Sequence, residues 1–169
     1  VWEAYARWSA NPLLFPTFSD TMIAWWDGMV SWVIPARLGV TIRMLLIGYA
    51  IGLGIAAVFV TFAVSTRLGT DLLSTLTSMF NPLPAIALLP LALLWFGLGN
   101  ASLVFVIVHS VLWAVALNTH SGFLSVSQTL RMVGRNYGLS GLGYVTKILI
   151  PAAFPSILTG MKIGWAFAW

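Results

Sequence analysis

Between Val40 and Val64 the chain reads VTIRMLLIGYAIGLGIAAVFVTFAV, with Arg43 as its single charged side chain. About 20 apolar residues in a row match the thickness of a bilayer's hydrocarbon core. Only 7% of the whole chain is charged and its mean hydropathy is +0.96, against about 25% charge in a soluble domain. Such a chain cannot clothe itself in water-facing side chains. A polytopic, all-α transmembrane helix bundle is expected, with about four visible spans.

The first span is placed at about 40–64, where Gly48 and Gly52 form a small-xxx-small pair that admits another helix closely. STRLGTD, residues 65–71, is a short polar turn. A second span, about 72–97, holds Pro82, Pro84 and Pro90 and is expected to be kinked or broken, buried among neighbours that re-satisfy its carbonyls. GLGN turns the chain at 97–100, and a third span covers about 101–117. A polar segment, 118–150, separates it from a fourth that starts near Ala152–Pro155. Asn118, Thr119 and His120 are read as a helix end.

Residues 1–38 hold five of the nine tryptophans and three of the four acids. Tryptophan favours the headgroup layer, so an interfacial or extracytoplasmic segment is expected, with a short amphipathic helix near Thr21–Val33 capped by Ser19 or Asp20. Arg67 lies in the short turn, and Arg131, Arg135 and Lys147 in the polar segment. Counting crossings puts turn and segment on one side, which the positive-inside rule makes cytoplasmic. Lys162 is placed early in the last span, facing the loop or lipid phosphates, with no substrate role. Arg43 is read as an interface anchor.

Several chemistries are excluded. Without cysteine there is no disulfide, thiolate site or cysteine nucleophile. No G-x-x-x-x-G-K-[ST] loop is present for binding ATP, and neither H-E-x-x-H nor G-x-S-x-G occurs. Eight basic residues, widely scattered, make no nucleic-acid stripe. The remaining candidates are pathway residues. His109 sits mid-span, where an ionisable group is a functional candidate by default, although a neutral histidine bonded to a neighbouring helix is the commoner case. Ser74, Thr77, Ser78 and Asn81 either face a pathway or bond local carbonyls.

The polar segment decides between function classes. A passive linker would be polar throughout, but MVGRNYGLSGLGYVTKILIP, residues 132–151, is studded with Met132, Val133, Tyr137, Leu139, Leu142, Tyr144, Val145 and Ile148. That pattern suggests two short helices broken around Gly138–Gly143, a shape that docks into a partner's groove.

The segment resembles the cytoplasmic loop of importer permeases of the ATP-binding-cassette (ABC) class, which reads E-A-A, three residues, G, nine residues, I, one residue, L-P. Gly138, Ile148 and Ile150-Pro151 fall on the glycine, isoleucine and L-P positions. Met132, Val133 and Gly134 replace E-A-A, a departure that removes any contact made by the family's acid. NPLPAIALLPLALLWFGLGN, LGVTIRMLLIGYAIGLGIA and IPAAFPSILTGMKIGWAFAW are similar to the third, second and fifth helices of permeases in the nitrate/sulfonate/taurine group.

The resemblance spans about 38–169 and implies one permease domain, a fragment truncated at both ends, in a multi-pass bacterial inner membrane protein. It implies a coupling loop containing Met132, Val133, Gly134, Arg135, Asn136, Gly138, Ile148 and Pro151, and a possible pathway at Ser78, Asn81 and His109. Implied partners are an ATPase subunit, an extracytoplasmic substrate-binding protein, a second permease copy in a homodimer, and membrane lipid. No cofactor, metal or catalytic residue is implied, since the partner hydrolyses ATP. An ATP-independent secondary transporter or channel is the alternative. An intramembrane enzyme is a third, lacking a nucleophile–base pair.

Overall fold

The computed structural model describes residues 1–9, 11 and 13–169, Leu142 by its backbone alone, so that the expected apolar contribution of Leu142 lies outside the described side chains. The described residues form two compact units, Val1–Arg43 and Met44–Trp169.

In the first unit, α1 (Trp2–Ser9) and α2 (Phe18–Val30) are stapled by Glu3. Its carboxylate accepts the Ser19 backbone N–H at 3.1 Å and the Ser19 hydroxyl at 3.2 Å, and pairs with Arg7 at 2.7 Å. Trp2 and Phe18 meet edge to face. The cap of α2 is Thr17, not Ser19 or Asp20. Its hydroxyl oxygen accepts the Asp20 N–H at 3.1 Å, so the helix starts earlier than the charge pattern suggested. The Ser19 N–H, then Arg7, hold the Glu3 carboxyl below its ordinary value. A depressed carboxyl stabilises above its unfolded pKa, about 4.3, and that contribution fades as pH falls through the lower folded value. Glu3→Gln should therefore remove an acid-dependent loosening of the α1–α2 pair below about pH 4, read by hydrogen exchange at Ser19.

Three helices are long and apolar enough to cross a membrane: α3 (Val33–Ser65), α6 (Asn100–Leu124) and the segment Val145–Ala168. Between them, α4 (Arg67–Phe80) and α5 (Leu89–Phe96) are joined through Asn81–Pro84 and a 3-10 turn, Ala85–Leu88, with an 85° bend. Pro82 and Pro84 make the break. Pro90 lies in the first turn of α5, where a missing N–H costs nothing.

Helix packing shows what this bent pair is. A Cβ on Gly48 would lie 2.6 Å from Ile107 and one on Gly52 2.8 Å from Val111. The contacts rise together along both helices, so α3 and α6 run parallel. The chain between two parallel spans must return across the membrane, hence α4–α5 is one broken span rather than a re-entrant loop. Against α6, Gly122 meets Ser156, Gly160 meets Asn118 and Gly164 meets Val115, so the last span is antiparallel to it. Tyr49 donates its hydroxyl to the Met161 carbonyl at 2.9 Å and ties α3 to that span. Ala56, Val60, Leu73, Val111, Trp113 and Ala153 form the core among these four spans.

Several boundaries move: α3 starts at Val33 rather than near 40, and α4 starts at Arg67, so of the expected turn 65–71 only Thr66 lies outside a helix. Helix α6 continues to Leu124, with Asn118, Thr119 and His120 inside it rather than at its end. The last span begins before Ala152: α8 (Gly141–Tyr144) runs through a π turn at Val145–Leu149 into α9 (Ile150–Ala168). Pro151 lacks the N–H that would bond the Lys147 carbonyl, and the Ile150 N–H reaches back five residues to Val145. The polar connection between spans is thus shorter than 118–150, and Lys162 is far from its edge.

Candidate coupling loop and polar groove

Helix α7 (Gln128–Asn136) is amphipathic and capped by Ser127, whose hydroxyl accepts the Leu130 N–H at 3.4 Å. Gly138, at φ +69°, ends it. Its N–H bonds the Arg135 carbonyl at 2.9 Å, and the Leu139 N–H bonds Gly134 at 3.0 Å. This crossed pair is a Schellman motif. The expected break is present at 137–140 only: residues 141–143 are already helical in α8, which leads into the last span instead of forming a second separate loop helix, and Gly138 terminates α7.

Gly134, in place of the motif's last alanine, is buried. A Cβ there would sit 2.8 Å from the Tyr144 ring and 3.0 Å from Ile148. The glycine lets α7 lie directly against the turn that enters the last span. Met132, Val133, Arg135 and Asn136 keep their side chains partly or largely outward, Ile148 is half-buried and Pro151 exposed.

Arg131 had been read only as a topogenic charge. Its guanidinium donates to the Phe123 carbonyl at 2.6 Å and the Val126 carbonyl at 3.1 Å, gripping the carbonyl end of α6, where a cation is favourable. Helix α7 is thereby fixed to α6 by Arg131 and to the last span by Gly134. Hydrogen bonds to a charged group contribute about 1.5–3 kcal/mol. Arg131→Met should speed amide exchange in α7 roughly tenfold or more, since about 1.4 kcal/mol is a factor of ten, while the middle of α6 is unchanged. Arg131→Lys should restore only part, lacking the planar fork.

The polar candidates lie on one groove. Ser74, Thr77 and Ser78 of α4, with Asn81 just past its end, face Leu117, His120 and Ser121 of α6 across a cavity of about 420 Å³. On the other side of the helix break, Asn81, Pro82 and Pro84 face His109, Ser110 and Trp113 across about 290 Å³. Asn81 belongs to both cavities. Residues 109, 110, 113, 117, 120 and 121 make one stripe along α6, at helical spacing.

Ser78 donates to the Ser74 carbonyl at 2.8 Å, the local bond that was one of its two readings. Thr77 differs: its hydroxyl is buried without a partner. So are both ring nitrogens of His109, Nε2 of His120 and the Trp113 indole N–H, among the described residues. The helix–helix bond expected of His109 is absent there, and its ring stands edge-on to Phe80 and Trp113 at 6.4 and 6.2 Å. Buried groups left unpaired are costly in a bilayer and mark where water or a solute would be welcome. His120 was missed because its neighbours read as a helix end. The signal was its spacing of eleven from His109, three turns on the same face. A larger cavity, about 750 Å³, is lined mostly by apolar side chains of α3, α6 and α9 and contains none of these candidates.

Lys162 needs correction too. It lies 17 positions past Val145 in the span Val145–Ala168, in the last third of that span rather than early in it.

Residues 48–169 match the family described as binding-protein-dependent transport system inner membrane component. The nitrate import permease NrtB of Synechocystis is 35% identical over 137 residues, 78% of this chain and 50% of NrtB. The taurine transport system permease TauC of Escherichia coli is 32% identical over 98 residues, 58% of this chain and 36% of TauC. The permease SsuC of the same organism, provisionally named for aliphatic sulfonates, aligns along the entire chain at 28% identity. The chain spans about 65% of SsuC's length. A match over this much of the four-span bundle makes the chain a member of the binding-protein-dependent, ABC-type family of inner membrane permeases, and a multi-pass protein of the bacterial plasma membrane.

Proposed function

We propose that the chain is the membrane-spanning subunit of an ATP-driven importer, forming the pathway for a small anion of the nitrate, sulfonate or taurine kind. The observation that carries the coupling reading is the double fixation of α7, by Arg131 to α6 and by Gly134 to the last span. A partner that moves α7 moves both spans as a rigid body. Met132, Val133, Arg135, Asn136 and the open face of Gly138 are the docking surface for an ATPase subunit, with Ile148 and Pro151 setting the turn behind it. Positive residues at this end make it cytoplasmic, and the Trp-rich residues 1–38 belong to the outer interface, near the binding protein. A second copy of the permease completes the pathway.

Ser78, Asn81 and His109, extended by Thr77 and His120, line the polar side of that pathway. Their neutral donors can replace the water shell of a passing solute. The anion class is supported by the names of NrtB, TauC and SsuC. The permease itself makes no covalent bond; hydrolysis of ATP belongs to the partner.

The test is reconstitution. The complete permease, co-expressed with its ATPase subunit and purified in detergent, should co-elute with it and hydrolyse ATP. In proteoliposomes with the binding protein it should take up labelled nitrate, taurine or an alkanesulfonate only when ATP is supplied. Uptake that persists without any ATPase would replace this reading by a secondary transporter or channel.

A further inference from the structure

The polar groove does not end at His120. Its cavity shares Thr70, His120 and Leu124 with another, about 300 Å³ in volume, at the corner where α3 turns into α4. Arg67 and Arg131 both line this second cavity, and no carboxylate does. The two charges come from different corners of the fold. Arg67 opens α4, and Arg131 belongs to α7, with its guanidinium on the carbonyl end of α6. Asp71, one turn along α4 from Arg67, lines neither cavity. Among the described residues neither arginine pairs with an acid.

The hydroxyls of this cavity are already engaged: Ser65 donates to the Thr61 carbonyl at 2.6 Å, Thr66 to Phe62 at 3.2 Å and Thr70 to Ala63 at 2.7 Å. The free donors are cationic or aromatic. Arg67 makes no side-chain hydrogen bond among the described residues. Arg131 uses Nε and Nη2 on its two carbonyls, which leaves the N–H groups of Nη1. His120, only 8% exposed, stands at the junction of the two cavities with Nε2 unpartnered. A topogenic arginine needs only the right side of the membrane. It does not call for a second guanidinium and an unpartnered imidazole around the same space. A cleft lined by one sign of charge concentrates counter-ions.

We infer that this corner is an oxyanion site at the inner mouth of the groove, where Arg67, the free edge of Arg131 and His120 Nε2 hold a nitrate, sulfonate or phosphate group. This deepens the anion-import reading and rests on it for the transported solute. The groove of α4 and α6 offers neutral donors along its length, and full charge only at this end. Two sources present the same chemistry. One is a solute leaving the groove. The other is the phosphate of an anionic lipid, a headgroup that basic pockets between membrane helices bind.

Protection of a thiol tests this. Ser65 lines the cavity, and Ser65→Cys is introduced into the complete permease, freed of any other cysteine, in phosphatidylcholine nanodiscs. A neutral maleimide reports its reactivity. Charge-assisted bonds are the strong ones, so nitrate or methanesulfonate should slow labelling about fivefold or more against chloride at equal ionic strength. Arg67→Gln should remove the protection, and Arg67→Lys should retain part of it, lacking the planar fork. If phosphatidylglycerol in the nanodisc protects without added oxyanion, and only with Arg67 in place, the occupant is a lipid headgroup. No protection by either, or equal protection in Arg67→Gln, overturns the site. These measurements involve no ATPase, so they stand apart from the importer reading. Loss of ATPase co-elution in Arg67→Gln, with Ser65→Cys unprotected throughout, would give Arg67 to the partner's surface instead. Protection together with uptake that needs no ATP would keep the oxyanion site and discard the importer.

Discussion

Replacing Gly138 is expected to abolish ATPase binding, and three substitutions separate the reasons. At φ +69° a β-branched side chain is strained by roughly 1–2 kcal/mol, a factor of about 5–30 in the population of the closed helix end. Gly138→Val should therefore loosen the Schellman bonds, and hydrogen exchange at Leu139 should rise in the isolated permease. Gly138→Asn tolerates the left-handed region and should leave that exchange nearly unchanged. Within this chain nothing lies within 4 Å of a Cβ built at the position. A tenfold or greater loss of co-elution by the Asn variant would thus measure the close approach of a partner's surface. Gly138→Asp adds charge to the same geometry. If Asn and Asp bind the ATPase as wild type does, Gly138 is a terminator alone and docking lies elsewhere.

The second large effect is expected at Gly69. The chain turns from α3 into α4 at Thr66, whose hydroxyl accepts the Gly69 N–H at 2.9 Å. A Cβ on Gly69 would enter the Phe62 carbonyl group and come within 2.8 Å of Thr66 Oγ1. The obstacle is backbone, which cannot rotate aside, so the corner between the first two spans must open. Overpacking of this kind costs about 1–3 kcal/mol or more. Gly69→Ala should lower the thermal midpoint clearly or prevent a monodisperse preparation. Gly54→Ala is the control: a Cβ there meets nothing within 4 Å, and the exchange should be neutral or stabilising by up to about 1 kcal/mol.

The spans were legible because twenty apolar residues in a row have few other uses, and the Gly48/Gly52 pair showed where α3 would approach a neighbour. The break at Pro82 and Pro84 was also readable. Its size was not, since a proline marks a missing bond without fixing the angle that neighbours impose. The end of α6 was misplaced for a simple reason. Asn118, Thr119 and His120 look like a helix end by polarity, but polarity in a bilayer also marks a groove. Lys162 was misread with them, because its depth follows from the register of Gly160 and Gly164 against α6, which no single helix reveals. Arg131 gave no local signal of its grip on Phe123 and Val126.

The bonds that finish α7 come from the main chain at Gly134, Arg135, Gly138 and Leu139. None of them needs the side chains of Met132, Val133 or Asn136. If the proposed coupling reading holds, those positions are free to drift with the ATPase surface they meet, as long as the glycine and the two anchoring contacts persist. On that proposal the loop is a fixed frame with replaceable lettering, and loss of the family's acid at Met132 would change the partner it addresses rather than its fold. Exchanging these outward residues between related permeases should redirect which ATPase is recruited without refolding the loop.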